Sequence, residues 1–142
     1  MKVLVDTNII IDILEKRKKF FQPSYELVQL SIQGGIQAFM PVSAVTDVYY
    51  IIHQSTHDAA KSKEAIVGLT TLIGFCDTIV SDINAALTLP INDFEDAVIA
   101  AVAKREKADY IVTRNEGDFK GSPVPAISPA MFLEQCIEND DE

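Results

Sequence analysis

The chain has 142 residues, 48% of them hydrophobic and 23% charged, with 21 acidic against 12 basic residues and a formal net charge of −9. That length holds one domain with a core of its own, and no apolar run reaches the ~20 residues needed to cross a bilayer. The acidic balance excludes a uniformly basic nucleic-acid binder, so any such contact needs locally gathered positive charge or acids that hold cations. The opening MKVLVDTNIIIDILEKRKK is a poor secretion signal, because Asp6 and Asp12 interrupt its apolar stretch and the basic cluster follows that stretch. A cytoplasmic protein is expected. Cys76 and Cys136 lack the paired spacing of a zinc or redox motif and are expected to be buried free thiols.

Lys2 to Val5 is a short β-branched run that reads as a buried strand. Asp6-Thr7-Asn8 then supplies capping groups for a helix to about Glu15. A second helix is expected over Pro23 to Gln33, with proline in its first turn and Gly34-Gly35 as its stop. Ile36 to Met40 reads as a strand, and Ser43 as the cap of a helix carrying Val45, Val48, Tyr49 and Ile52 on one face. Another helix covers Asp58 to Ile73. Phe75 to Val80 reads as a strand, and Ser81 as the cap of a short helix ending before Pro90. Asn92 to Lys107 is the clearest helix, with Ala97, Ala100, Ala101 and Ala103 suited to close packing. Tyr110-Ile111-Val112 is a strand, Thr113 to Phe119 the loop after it, and Ser128-Pro129 opens the last helix. Strands alternating with helices imply an α/β domain of three layers with a central parallel sheet, over residues 1–137. The acidic tail, 138–142, is expected to fray.

In an open parallel sheet, sites form at the carboxyl ends of strands. Asp6 closes the first strand, Asp118 lies in the loop after Val112, and Asp96 and Asp47 fall in the first turns of their helices. Four acids are therefore expected at one sheet edge. Their mutual repulsion is unfavourable unless a divalent cation sits among them, and an oxygen-only donor set suits Mg2+ or Mn2+. Such a site activates water against a phosphodiester, which removes the need for a histidine. Each acid also has a plainer reading. Asp6 caps a helix, Asp93 and Asp96 favour a positive helix end, Asp47 is a solvated face residue, and Asp118 shapes the turn at Gly117.

The segments VDTNI (5–9), DFEDAVIAAVAKREKADYIVTRN (93–115) and EGDF (116–119) together resemble PIN domains, especially bacterial ones of the VapC toxin type. The resemblance implies a metal-dependent ribonuclease with Asp6, Asp96 and Asp118 as metal ligands. It implies support from Asn8, Thr113 and Asn115, with Asp93 as an extra acid. Relatives mostly carry glutamate in an S-x-x-x-E segment, where SAVTD offers Asp47, one methylene shorter and suited to ligation through water. The resemblance further implies RNA as substrate, a small antitoxin-like protein partner and a homo-oligomer. From another class stands a non-catalytic or regulated PIN-like module that binds protein or RNA.

His53 and His57 have a zinc-compatible spacing, but HQSTH lacks a metalloprotease glutamate and Ser55-Thr56 reads as a helix break. Lys16 to Lys19 is either a solvated helix end or a phosphate-attracting run. Arg114, just after the strand, is the better single candidate for touching a phosphate. Tyr49, Tyr50 and Phe94 read as core. Haloacid-dehalogenase-type phosphatases need an aspartate where Asn8 stands, and response-regulator receivers need paired acids after the first strand. Flap nucleases carry DNA-binding helices that this length cannot hold.

Overall fold

A computed structural model describes residues 1–140, and side chains through residue 138. Five strands form one sheet, all parallel, in the order β3-β2-β1-β4-β5: β1 (Lys2–Val5), β2 (Gln37–Pro41), β3 (Gly74–Cys76), β4 (Tyr110–Val112) and β5 (Ala126–Ile127). Between them run α1 (Thr7–Leu14), α2 (Phe21–Ile32), α3 (Val45–Thr56), α4 (Ala59–Leu72), α5 (Val80–Ala86) and α6 (Phe94–Arg105), and α7 (Pro129–Asp140) follows β5. This is the three-layer α/β architecture expected from the alternation.

The period-2 pattern of the strands sorts the core into two layers. Val3 and Val5 of β1 join Ala38, Met40 and Val112 on one face, with Ile9, Ile10, Leu27, Val48, Leu69 and Phe132 from the helices. Leu4, Phe39 and Ile111 point the other way, onto Ala97, Ala100, Ala101 and Ala103 of α6. The alanines leave α6 close enough to the sheet for its inner face to be sealed.

Several local readings shift. The apolar run after Phe75 is not a long strand: β3 ends at Cys76 and α5 begins at Val80. Ser81 is not the cap of α5. Asp82 Oδ2 accepts the Ile79 N–H at 2.9 Å, closing the first turn from inside the helix. Ser43 likewise caps no helix; it lies in a 3₁₀ turn (Val42–Ala44) and bonds Thr78 through its hydroxyl. The stop near Ser55-Thr56 is present, since α3 ends at Thr56 and His57 turns left-handed at φ 51°. His53 is stacked on Tyr49 and bonded to Ser62, so the two histidines share no ligand geometry. Tyr50 and Phe94 are exposed, against the core reading. Both cysteines are half-buried, where full burial was expected. Of the acidic segment expected to fray, α7 includes the residues through Asp140, and 141–142 lie outside the described residues.

Asp82, 2% exposed, is a charge buried within the fold, and Arg105 grips it through Nε at 2.8 Å and Nη2 at 3.1 Å. Burial pushes the Asp82 carboxyl up, but the Arg105 and Ile79 hydrogen bonds outweigh it and hold the group below its ordinary 3.8. Arg105→Met strands this carboxylate and is expected to cost about 3 kcal/mol at pH 7 in urea unfolding. Asp82 contributes its stability fully above the unfolded value, and that contribution is lost as pH falls through the lower folded value. The stranded carboxylate of the variant protonates first, so the gap between the two proteins should narrow on acidification. A gap that stays constant from pH 7 to pH 4 contradicts the pairing.

Candidate active site

The chain builds β2 and β3 on one side of β1, then returns to place β4 on the other. That reversal opens a crevice beyond the carboxyl ends of β1 and β4, the usual ligand position in such sheets. Asp6 stands there. It leaves β1 with extended backbone (φ −73°, ψ 155°) and caps α1, its Oδ1 accepting the Thr7 N–H at 2.8 Å. Its N–H is tied to the Val112 carbonyl of β4 at 3.0 Å.

The second oxygen of Asp6 faces β4. Thr113, wholly buried, donates its hydroxyl to Asp6 Oδ2 at 2.9 Å, and Asn8 Nδ2 reaches the same oxygen at 3.3 Å. Asn8 also donates to Thr113 Oγ1 at 3.3 Å and accepts the Arg114 N–H at 3.4 Å. The Asn115 N–H donates to Thr113 Oγ1 at 3.1 Å, so that residue enters the network through its backbone. Burial pushes the Asp6 carboxyl up; the Thr113 and Thr7 bonds pull it down, Asp118 pushes it up further and Arg114 opposes, and the net is a raised value.

Asp93 is the N-cap of α6, its Oδ1 accepting the Asp96 N–H at 3.0 Å. The capping leaves the Asp96 carboxylate itself free to face the crevice. Burial, followed by the charges of Asp6, Asp93 and Asp118, pushes it up to about 6. Asp93, Asp96 and Asp118 line a cleft of about 670 Å³ whose wall includes Pro90, Lys120 and Gly121. Gly121 sits at φ 90°, and a Cβ there would lie 2.9 Å from the Pro90 ring, so only glycine lets the loop close this wall. Asp47 lies in the first turn of α3 and hydrogen-bonds Glu95. That bond first, then burial and the charges of Asp47, Asp93 and Asp6, pushes Glu95 up to about 7.

Glu95 was not among the residues expected from the sequence. The signal was present in DFED: adjacent helix residues diverge by ~100°, so two neighbouring acids at a helix start serve two sides of one site. Arg114, the residue expected to touch a phosphate, is held by other residues of the chain. Its Nε lies 2.6 Å from Oδ2 of the wholly buried Asp12, and its guanidinium stacks 4.2 Å from the Phe20 centroid. The short approach is off-axis, an ion pair without an aligned hydrogen bond, which leaves both Asp12 oxygens without one.

As the side chains stand, no three carboxylate, imidazole or thiolate groups among the described residues converge closely enough to hold an ion. The acids nonetheless act on one another. Asp6 and Asp96 both lie in the field of Asp118, and Asp6 in turn acts on Asp96 and Glu95. Carboxylate oxygens alone, mutually repelling at a cleft, form a donor set that fits a hard divalent ion.

The PIN domain family model matches residues 2–117 of this chain. The chain belongs to the PIN domain family. The match covers the sheet from β1 to β4 and reaches the 3₁₀ turn (Glu116–Phe119), ending one residue before Asp118. A relative is Ribonuclease VapC1 of Aquifex aeolicus (strain VF5), 23% identical over 140 residues, which are 94% of each chain. Among solved PIN-fold structures, the chain is similar to DNA-bound VapBC from Salmonella typhimurium (TM-score 0.72, 15% identity, 91% of this chain and 98% of that one). It is also similar to VapBC2 from Rickettsia felis bound to a promoter DNA fragment (TM-score 0.71, 18% identity, 90% and 98%). A third is Mycobacterium tuberculosis VapC20, a Sarcin-Ricin loop cleaving toxin (TM-score 0.65, 13% identity, 89% and 99%).

The repulsion in this PIN domain has a consequence for stability. Asp96→Asn removes one repelling charge and no side-chain hydrogen bond, so in metal-free buffer near neutral pH it should melt higher than the parent. The expected rise is roughly 2–8 °C for each kcal/mol of repulsion relieved. An equal or lower melting temperature contradicts the mutual field.

Proposed function

We propose that this PIN domain is a divalent-metal-dependent endoribonuclease that hydrolyses phosphodiester bonds of RNA. The observation that carries the reading is the set of mutually repelling carboxylates of Asp6, Asp96 and Asp118 at the crevice beyond β1 and β4. These three residues would hold Mg2+ or Mn2+, and Asp47, beside Glu95, would act with them directly or through water. The ion, when bound, supplies a Lewis acid for the phosphate and a water of lowered pKa.

The remaining parts belong to the chain. The Thr113 hydroxyl and the Asn8 amide fix Asp6 Oδ2, so this ligand does not rotate away from the crevice. The Asn115 N–H orients the Thr113 hydroxyl by filling its acceptor side. Asp93 caps α6 and thereby sets the height at which Asp96 meets the cleft. The Glu95 carboxyl, pushed up to about 7 beside Asp47, limits the negative charge that RNA must approach.

RNA as substrate is supported by two relatives, the Aquifex protein, named a ribonuclease, and VapC20, named for cleaving the Sarcin-Ricin loop. A protein partner of antitoxin type is supported by solved relatives that are complexes, one of them a toxin-antitoxin complex from Klebsiella pneumoniae. Purified protein with a mixed RNA pool should cleave in magnesium or manganese and not in excess chelator. Asp96→Asn should lose more than about 100-fold in rate while remaining folded. Asp47→Ala should lose most activity and Asp47→Glu should keep it, since the longer acid still reaches the site. Metal-independent cleavage, or full activity in Asp96→Asn at saturating magnesium, overturns the assignment. Binding of RNA without cleavage in any divalent ion favours the module that binds without catalysis.

A further inference from the structure

On this acidic chain two cations are gathered on one aromatic ring. Phe20, at the entry to α2, carries the Arg114 guanidinium 4.2 Å from its centroid and Lys19 Nζ at 5.3 Å. Asp12, wholly buried, fixes Arg114 from behind through Nε. That pairing uses one edge of the guanidinium, and its Nη groups have no hydrogen bond or ion pair among the described residues.

Arg114 and Lys19 border a cavity of about 260 Å³ that is distinct from the acidic cleft and is also lined by Ser24 and by Ser128 to Ala130. Ser24 is 0% exposed and its hydroxyl has no hydrogen-bond partner, where buried hydroxyls are normally bonded. The start of α7, a 12-residue helix, also meets the cavity. Pro129 has no N–H, and Ser128 Oγ takes the Met131 N–H at 3.2 Å, which leaves the Ala130 N–H for an incoming group. Two cations, a hydroxyl and a helix N-terminus are all donors. The ligand that complements them is an anion with several acceptor oxygens, of which phosphate is the type.

We infer that this cavity is a subsite for a backbone phosphate of RNA, neighbouring the phosphate cleaved at the acid cluster. The inference rests on the ribonuclease reading. Arg114 follows Thr113, whose hydroxyl holds Asp6, and its own N–H donates to Asn8 Oδ1 at 3.4 Å. One short link of backbone therefore joins the acid site to the cation pair. A polyanion approaching a carboxylate cluster needs positive charge beside it, and here that charge is already oriented by Asp12 and Phe20.

Arg114 itself is a poor test, because removing it leaves the buried Asp12 with only the longer pairing to Arg17 at 3.7 Å. Ala130→Glu is better. Position 130 is exposed, and an acid in the first turn of α7 favours the helix, so the variant should melt at or above the parent temperature while placing negative charge at the cavity. Binding of a short single-stranded RNA is measured in chelator, without cleavage, across a salt series. Ala130→Glu and Lys19→Ala should bind more weakly, with the salt slope shallower by ~0.7 for each phosphate no longer neutralised. Lys63→Ala, the same charge change on α4, should keep the parent slope. In magnesium, Ala130→Glu should raise KM for RNA and leave kcat unchanged.

Parent-like affinity and slope in Ala130→Glu overturn the subsite. Inorganic phosphate is the second probe, read by melting temperature. If it stabilises the parent and not Ala130→Glu while RNA binding is equal in both, the cavity takes free anions and the RNA proposal fails. Loss of slope in Ala130→Glu, in a protein that cleaves under no condition, overturns the ribonuclease reading and retains the subsite.

Discussion

A carboxylate that is 8% exposed must be matched by donors, and the match at Asp6 joins the two central strands of the sheet. Asp6 ends β1, Thr113 follows β4, and the hydroxyl of one meets the carboxylate of the other at 2.9 Å across a strand pair set by the register Val5↔Val112. If that register slipped by one residue, Thr113 would face the opposite layer and Asp6 would be buried without a partner. The same contact orders Asn8, the turn at Arg114 and Asn115, and the approach of Asp118. Hydrophobic packing places the strands, and this polar contact fixes how their ends meet.

Around that anchor the charges divide into two groups. At the carboxyl edge of the sheet, Asp6, Glu95 and Asp96 are pushed up by burial and by one another, with Asp47, Asp93 and Asp118 adding to the field. A few residues away the cations Arg114 and Lys19 are held on Phe20, with Asp12 behind them. A net charge of −9 conceals this arrangement. Composition averages over the surface, whereas binding responds to local fields.

The sequence made the framework legible where a local pattern carries the information. The β-branched run before Asp6, the alanine face of α6 and the Ser128-Pro129 start of α7 each specify structure through neighbours a few residues away. Asp6, Asp47, Asp93, Asp96, Asp118, Asn8, Thr113 and Asn115 all lie at or beside the expected sheet edge for that reason. What was illegible depends on distant partners. The setting of Arg114 depends on Asp12 and Phe20, about 100 residues earlier, which the fold brings against it. Asp82 starts α5 from inside the helix because Arg105 compensates its burial, so Ser81 was a misleading cap. Glu95 gained its place only when α3 set Asp47 opposite α6. The short β5 pairs with β4 over two residues, too few for any periodicity to show.

The proposed chemistry requires Asp6, Asp96 and Asp118 to share one cation. Crystals grown or soaked with manganese, measured at the manganese absorption edge, test this without reference to substrate. An anomalous peak among the three carboxylates, lost in Asp96→Asn, is the predicted result. Saturating manganese with no peak in that crevice, or with peaks only elsewhere on the protein, would contradict it.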